Sequence, residues 1–221
     1  MKTTLILRSF LLTLVAFIYF LGGYSAHAQT YATISNGLWS AASTWQGGSI
    51  PNATNIPASA VVNIKHIVTY TGGNIVNNGT VNINNNQGTS PKLNVPLGVI
   101  VTNNATGKIN IINAEYRQYR FVGGLEVGVA QTGSFVNNGG YVQITNSFVE
   151  VAQDWTNQGT GVVAFHNSSL EIGRTYSLKN SGIDTIESSS ISVGMHGAGD
   201  FSLDGSKVYF FKARFEVAST N

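Results

Sequence analysis

The stretch Ile75-Val-Asn-Asn-Gly-Thr-Val-Asn-Ile83 returns, with changes, as Phe135-Val-Asn-Asn-Gly-Gly-Tyr-Val-Gln-Ile144 and as Trp155-Thr-Asn-Gln-Gly-Thr-Gly-Val-Val163. A weaker copy reads Leu178-Lys-Asn-Ser-Gly-Ile183. The shared phrase is apolar, any, Asn, any, Gly, followed by alternating apolar residues. Asn and Gly accept the left-handed backbone of sharp turns. Alternation marks strands. A second phrase fixes the period. Leu125-Glu-Val-Gly128, Val149-Glu-Val-Ala152, Leu170-Glu-Ile-Gly173 and Ile191-Ser-Val-Gly194 share one pattern; the last three begin 21 residues apart and the first gap is 24. Asn146-Ser147, Ser168-Ser169 and Ser189-Ser190 precede three of them.

Several short strands in a repeating unit of this length predict an all-β, single-stranded, right-handed parallel β-helix. Parallel strands need a connection of a dozen or more residues, and the other strands of the same coil supply it. Equivalent residues then stack about 4.8 Å apart, and a repeated Asn can form a ladder of side-chain amides. The right hand follows from the general rule for parallel crossovers. A lone coil buries too little apolar surface to offset its lost chain entropy, so the units must stack. An all-β sandwich also has short, regularly spaced strands, but sandwiches seldom repeat sequence from strand to strand.

Residues 1–28 read as a secretory leader: Lys2 and Arg8 are basic, Leu11 to Leu21 is apolar, and Ala26-His27-Ala28 is a small-residue cleavage pattern. The apolar run is short of the ~20 residues that span a bilayer. The expected location is therefore extracellular or at the outer surface. Removing Lys2 and Arg8 from the 12 basic residues leaves ten, against 10 acidic ones. A neutral mature chain is no polycation for nucleic acid or anionic membrane. Charged residues make up only 10% of the chain, with Asn, Ser, Thr and Gly in their place. Cysteine is absent, which excludes disulfides, thiol catalysis and Cys-type zinc sites.

Residues 29–70 read as an N-terminal cap and first strands, and 71–221 as the coils. The opening block runs Asn36-Gly-Leu-Trp39-Ser-Ala-Ala-Ser-Thr-Trp45-Gln-Gly47-Gly48-Ser-Ile-Pro51, then Val61-Val-Asn-Ile64 and Ile67-Val-Thr-Tyr70. It resembles the start of G8-type domains and of many secreted surface proteins of the Bacteroidetes, in which a Trp-Ser, a second Trp, a Gly-Gly and a Pro precede β-helix coils. The family pattern has an acidic stretch where this chain has Asn52 to Asn55. The resemblance covers about 35 residues, implies a β-helical extracellular module, and transfers no catalytic residue. From the residues alone, Trp39 and Trp45 are large enough to close the apolar end of a solenoid; the functional alternative is a platform for sugar rings.

Residues 208–217 read as one half-buried strand. Tyr209, Phe211, Ala213, Phe215 and Val217 fall on one face, and Phe210, Lys212, Arg214 and Glu216 on the other. No sorting domain of the kind such surface proteins carry follows, so the alternatives are a truncated chain or another export route.

Two groups are candidates for chemistry. Glu126, Glu150 and Glu171 recur at one position of the unit, so a stack aligns them as a carboxylate column, with calcium as the natural hard cation. Aligned carboxylates alone do not supply the 6–8 oxygens that calcium takes, and a solvated column is the simpler reading. Glu115, Tyr116, Arg117, Tyr119 and Arg120 form the densest charged and aromatic patch, within a longer connection between strands, where function often resides. Asp154, Asp184, Asp200 and Asp204 read as scattered turn residues, and His66, His166 and His196 lack metal-ligand spacing. No convergent acid–base pair is visible. The sequence therefore points to a non-catalytic extracellular or cell-surface module for adhesion, glycan binding or surface structure, with a glycan or a surface protein as partner. The alternative is a carbohydrate-active lyase or hydrolase, or a fragment of one, using Glu115, Arg117 and Arg120.

Overall fold

A computed structural model describes residues 28–85, 90–114, 124–128, 132–195 and 197–218. Residues 1–27 of the expected leader, the patch from Glu115 to Arg120 and His196 lie outside the described residues. Among those described, no helix is long and apolar enough to cross a membrane.

The chain winds through three parallel sheets, as the repeated phrases require. The first sheet holds eight strands in chain order: 30–32, 61–64, 80–84, 108–112, 141–145, 162–166, 183–187 and 207–211. The second holds eight: 37–38, 67–69, 92–95, 124–127, 148–151, 169–172, 190–193 and 214–217. The third holds six: 75–77, 99–104, 133–138, 154–158, 175–179 and 200–204. From strand 61–64 to strand 200–204 each coil visits the first, second and third sheet in turn, whereas 3₁₀ turns stand in place of a third-sheet strand after 37–38. First-sheet strands begin at Tyr141, Val162 and Ile183, so the central coils are 21 residues long.

Alternation sends every second side chain inward, and in-register pairing stacks these into columns. Ile64, Ile83, Ile111, Ile144, Phe165 and Ile186 form one in the first sheet. In the third sheet Phe135 stacks on Trp155 with ring centres 4.3 Å apart, and Tyr176 on Phe201 at 5.6 Å. Next to that aromatic column stands a column of buried amides, Asn77, Asn103, Asn137 and Asn157. Asn77, Asn137 and Asn157 are the first Asn residues of the repeated phrase, and Asn103 stands in Val101-Thr-Asn-Asn-Ala105, where Ala replaces the Gly. Each donates from Nδ2 to the Oδ1 of the next, at 2.8, 2.8 and 2.9 Å. Burial without these bonds would cost roughly 1–3 kcal/mol for each orphaned group.

The ladder fixes the glycines that follow it. Gly159 turns the corner with φ 63°. A Cβ on Gly161 would collide with the Asn157 amide oxygen. So the phrase carries three roles: a buried amide, a left-handed corner, and a position where the backbone passes against the amide.

Three local readings of the sequence are corrected. In the weak copy, Asn180 is not a ladder residue. Asn157 pairs in register with Leu178, and Asn180 takes the corner place of Gly159 with φ 54°. The aspartates are strand residues, not turn residues: Asp154 opens one strand, Asp200 and Asp204 bound another, and Asp184 points inward at full burial. The segment 208–217 is two strands, because Lys212 turns a corner with φ 51°. Val208 and Phe210 lie over Asp184 and Ile186 and face inward, as do Phe215 and Val217 beyond the corner, while Tyr209 and Phe211 face outward. Alternation read through a corner misplaces every residue on one side of it.

The N-terminal end is closed. Three short 3₁₀ turns lie between the strand ending at Leu38 and the one starting at Val61. They fold Trp39 and Trp45 into the core, where their rings meet edge-on at 5.0 Å. Both indole N–H groups are satisfied by backbone carbonyls, Pro51 for Trp39 at 2.8 Å and Trp39 for Trp45 at 2.7 Å.

Candidate functional site

The corner between the first and second sheets is the most regular feature of the surface. Asn113, Asn146, Asn167, Ser188 and Lys212 occupy equivalent places there, with φ of 52°, 47°, 47°, 49° and 51°. This left-handed conformation suits Asn among non-glycine residues, because its short polar side chain bonds locally. The amides also bond along the solenoid axis: Asn146 Nδ2 donates to Asn113 Oδ1 at 2.8 Å and Asn167 Nδ2 to Asn146 Oδ1 at 2.7 Å. One residue further in, Ser147, Ser168 and Ser189 form a buried second column. The hydroxyls of Ser168 and Ser189 accept the backbone N–H of the serine one coil earlier, at 3.2 and 3.0 Å, so the corner is held rigid from within.

These columns line an open groove of about 990 Å³ running along the axis. Its floor is Asn and Ser from successive coils; Asn85 stands at one end and Lys212 and Arg214 at the other. Among the described residues that line it, none is acidic. The groove therefore offers amide donors, amide and hydroxyl acceptors, and two cations, repeated or graded along a straight line. Such a set matches a chain of hydroxyl-bearing units better than a compact apolar ligand. Sequence reasoning missed it. Its signal was the recurrent Asn146-Ser147, Ser168-Ser169 and Ser189-Ser190, which served only to align the repeat.

The patch holding Glu115, Tyr116, Arg117, Tyr119 and Arg120 falls outside the described residues. The segment carrying it leaves the first sheet through Ala114, next to Asn113, and rejoins the second at Gly124.

The other candidates sit elsewhere. Glu126, Glu150 and Glu171 are in register on consecutive coils of the second sheet and half-buried. Lys92 forms a close ion pair with Glu126. Ser192 and Glu216 continue the column. Among the described residues no three His, Cys, Asp or Glu are grouped to hold a metal ion. Trp39 and Trp45 are about 4% and 1% exposed, so neither presents a face to a sugar. His66 bonds Thr33 at 2.9 Å, and His166 pairs with Glu187 of the next coil at 3.2 Å.

One polar pair was not foreseen. Asp184 occupies a core position beside Val163 and Val208. It accepts from Asn157 Nδ2 at 2.5 Å and from the Tyr176 hydroxyl in a short bond. Burial pushes its carboxyl up to about 7, against the lowering effect of these two donors. The Tyr176 hydroxyl is raised well above its ordinary value, by burial first and then by Asp184. The pair is sealed inside the solenoid and ends the amide ladder there.

No protein-family model, no curated protein and no solved structure matches this chain. What it can do is read from the groove.

Proposed function

We propose that the chain is a non-catalytic extracellular or cell-surface β-helix module that binds a glycan along the groove at the first corner. The observation that carries this reading is the alignment of Asn113, Asn146, Asn167 and Ser188, one per coil, over a groove of about 990 Å³. An extended polysaccharide laid along the axis meets the same amide and hydroxyl chemistry at each coil, and avidity grows with the number of coils engaged. Lys212 at one end, beside Arg214 in its pair with Glu216, favours a chain bearing carboxylates or sulfates. The leader of residues 1–28 and the resemblance of residues 36–70 to G8-type domains support the extracellular setting. The absence of acidic residues among the described groove lining favours recognition over glycosidic cleavage, which needs positioned acid and base groups.

A glycan array run beside lyase and hydrolase assays on acidic polysaccharides tests the reading. Asn146→Gly and Asn167→Gly remove the amides and keep the left-handed backbone. Saturable binding to at least one polysaccharide is expected, weakened tenfold or more in the double variant. Turnover of any substrate, or binding unchanged by the double variant, would overturn it.

A further inference from the structure

Asparagine followed by Gly or Ser is prone to deamidation, because the next backbone nitrogen attacks the side-chain amide carbon and a small residue obstructs ring closure least. The chain holds six such pairs: Asn36-Gly37, Asn78-Gly79, Asn138-Gly139, Asn146-Ser147, Asn167-Ser168 and Asn180-Ser181. The attacking nitrogen must give up its proton, so an N–H held in a hydrogen bond by rigid surroundings is a poor nucleophile. Gly79 N–H is donated to Asn77 Oδ1 at 3.1 Å, and Gly139 N–H to the Gln158 carbonyl at 3.0 Å. Asn36 is fixed through its side chain, whose Oδ1 accepts the Ile67 N–H at 2.9 Å. At the groove the serine column takes this part. Ala114, Ser147 and Ser168 each follow a groove asparagine, and their N–H groups are donated to the Oγ of Ser147, Ser168 and Ser189 at 3.1, 3.2 and 3.0 Å. Each of those hydroxyls directs its own proton to a carbonyl two residues back, at 2.7, 2.8 and 2.7 Å, which leaves a lone pair for the N–H. Asn180 differs. It and Ser181 both take left-handed φ, 54° and 76°, both are exposed, and the Ser181 N–H bonds to no described residue.

We propose that Asn180 is the site of spontaneous deamidation in the folded chain, and that the buried serines shield the groove amides from the same reaction. At Asn180 the Ser181 nitrogen bonds to Cγ, the Cγ–Nδ2 bond breaks, and ammonia leaves with the displaced proton. Water then opens the succinimide ring to aspartate or isoaspartate, with no oxidation or reduction at any step. In the groove this reaction replaces an amide donor with a carboxylate. At Asn146 it removes the bond from Nδ2 to Asn113 Oδ1 and puts a negative charge among described lining residues that include no acid. Each serine acts on the asparagine one coil before it: Ser147 on Asn113, Ser168 on Asn146, and Ser189 on Asn167. The protection is therefore set by the stack of coils rather than by local sequence. Asn167-Ser168 and Asn180-Ser181 are the same dipeptide, and both asparagines take a left-handed corner. They differ in what the following N–H meets, and so in fate.

Peptide mapping by mass spectrometry, after incubation of the purified chain at mildly alkaline pH, follows all six pairs at once; a sample in denaturant is the reference. In denaturant the Asn-Gly pairs should react ahead of the Asn-Ser pairs. In the folded chain the order should change: Asn180 is converted first, and Asn146 and Asn167 at least tenfold more slowly. Ser168→Ala, with circular dichroism like that of the parent, frees the Ser147 N–H. It should speed Asn146 tenfold or more while Asn113 and Asn167 react no faster than in the parent. Ser189→Ala should speed Asn167 alone. A corner merely loosened by either substitution would speed neighbouring asparagines together. Asn146, Asn167 or an Asn-Gly pair reacting as fast as Asn180 in the folded parent would overturn the inference. So would serine variants that leave their asparagine unchanged or speed all three alike. No ligand enters the measurement, so its result is separate from that of the glycan array.

Discussion

At the scale of single residues, Asp184 is where the repeat departs from itself. Where the other coils place Val81, Ile109, Val142 and Val163, this one buries a carboxyl. The departure is compensated nearby. The amide position one coil after Asn157 is filled by Leu178, and Asp184 accepts the Nδ2 proton that a fifth Asn would have taken. The pKa of about 7, against 3.8 for an ordinary aspartate, makes this a pH-dependent element. The folded chain holds the proton across an interval in which the unfolded chain has released it. The contribution is therefore fully present below 3.8 and is lost as pH rises to about 7. Its size is about 4 kcal/mol, at 1.36 kcal/mol per pH unit. Thermal melts from pH 4 to 8 should show a falling Tm, and Asp184→Asn should flatten that fall and raise stability at pH 8. A parent and variant with parallel Tm profiles would remove Asp184 from the account.

At the scale of the element, the coil is the unit of construction and its length is its register. Deleting residues 146–166 removes one full turn, joins Thr145 to Asn167, and brings Asn137 to the place from which Asn157 donates to Asp184. The shortened chain should keep a cooperative unfolding transition. Deleting 146–167 instead takes one residue more, sends every following inward side chain outward until the next corner, and should abolish cooperative unfolding. Denaturant titration followed by circular dichroism distinguishes the two; equal behaviour would mean that register is not set coil by coil. The sequence showed the coil because Asn77, Asn137 and Asn157 recur with their glycines. It did not show that these amides are buried, since an Asn-x-Gly phrase reads first as a turn. Nor did it show the corner at Lys212, because lysine seldom adopts positive φ and the alternation ran unbroken through it. The groove was hidden for a different reason. It belongs to no single coil and exists only once equivalent corners are stacked.

At the scale of the whole molecule, a solenoid couples each coil only to its neighbours, so its two ends behave independently. Replacing Trp45 with Ala should cost about 3–5 kcal/mol, the usual range for a large buried aromatic. The loss should be local: amide exchange is expected to quicken in strands 30–32 and 61–64 while strand 162–166 keeps its protection. Uniform quickening along the chain would mean the stack behaves as one cooperative block. The inner amide ladder also has a direction. It begins with Asn77 Oδ1 taking the Gly79 N–H at 3.1 Å, passes every donated proton toward the C-terminal end, and stops at Asp184, an acceptor with no amide to hand on. This bears on how such a chain lengthens over evolutionary time. A duplicated coil inserted between Asn77 and Asn157 brings one donor and one acceptor and leaves no buried group unmatched. The same duplication placed after Asp184 finds no proton to receive. Growth by tandem duplication is therefore favoured in the middle of this solenoid and discouraged at its C-terminal end.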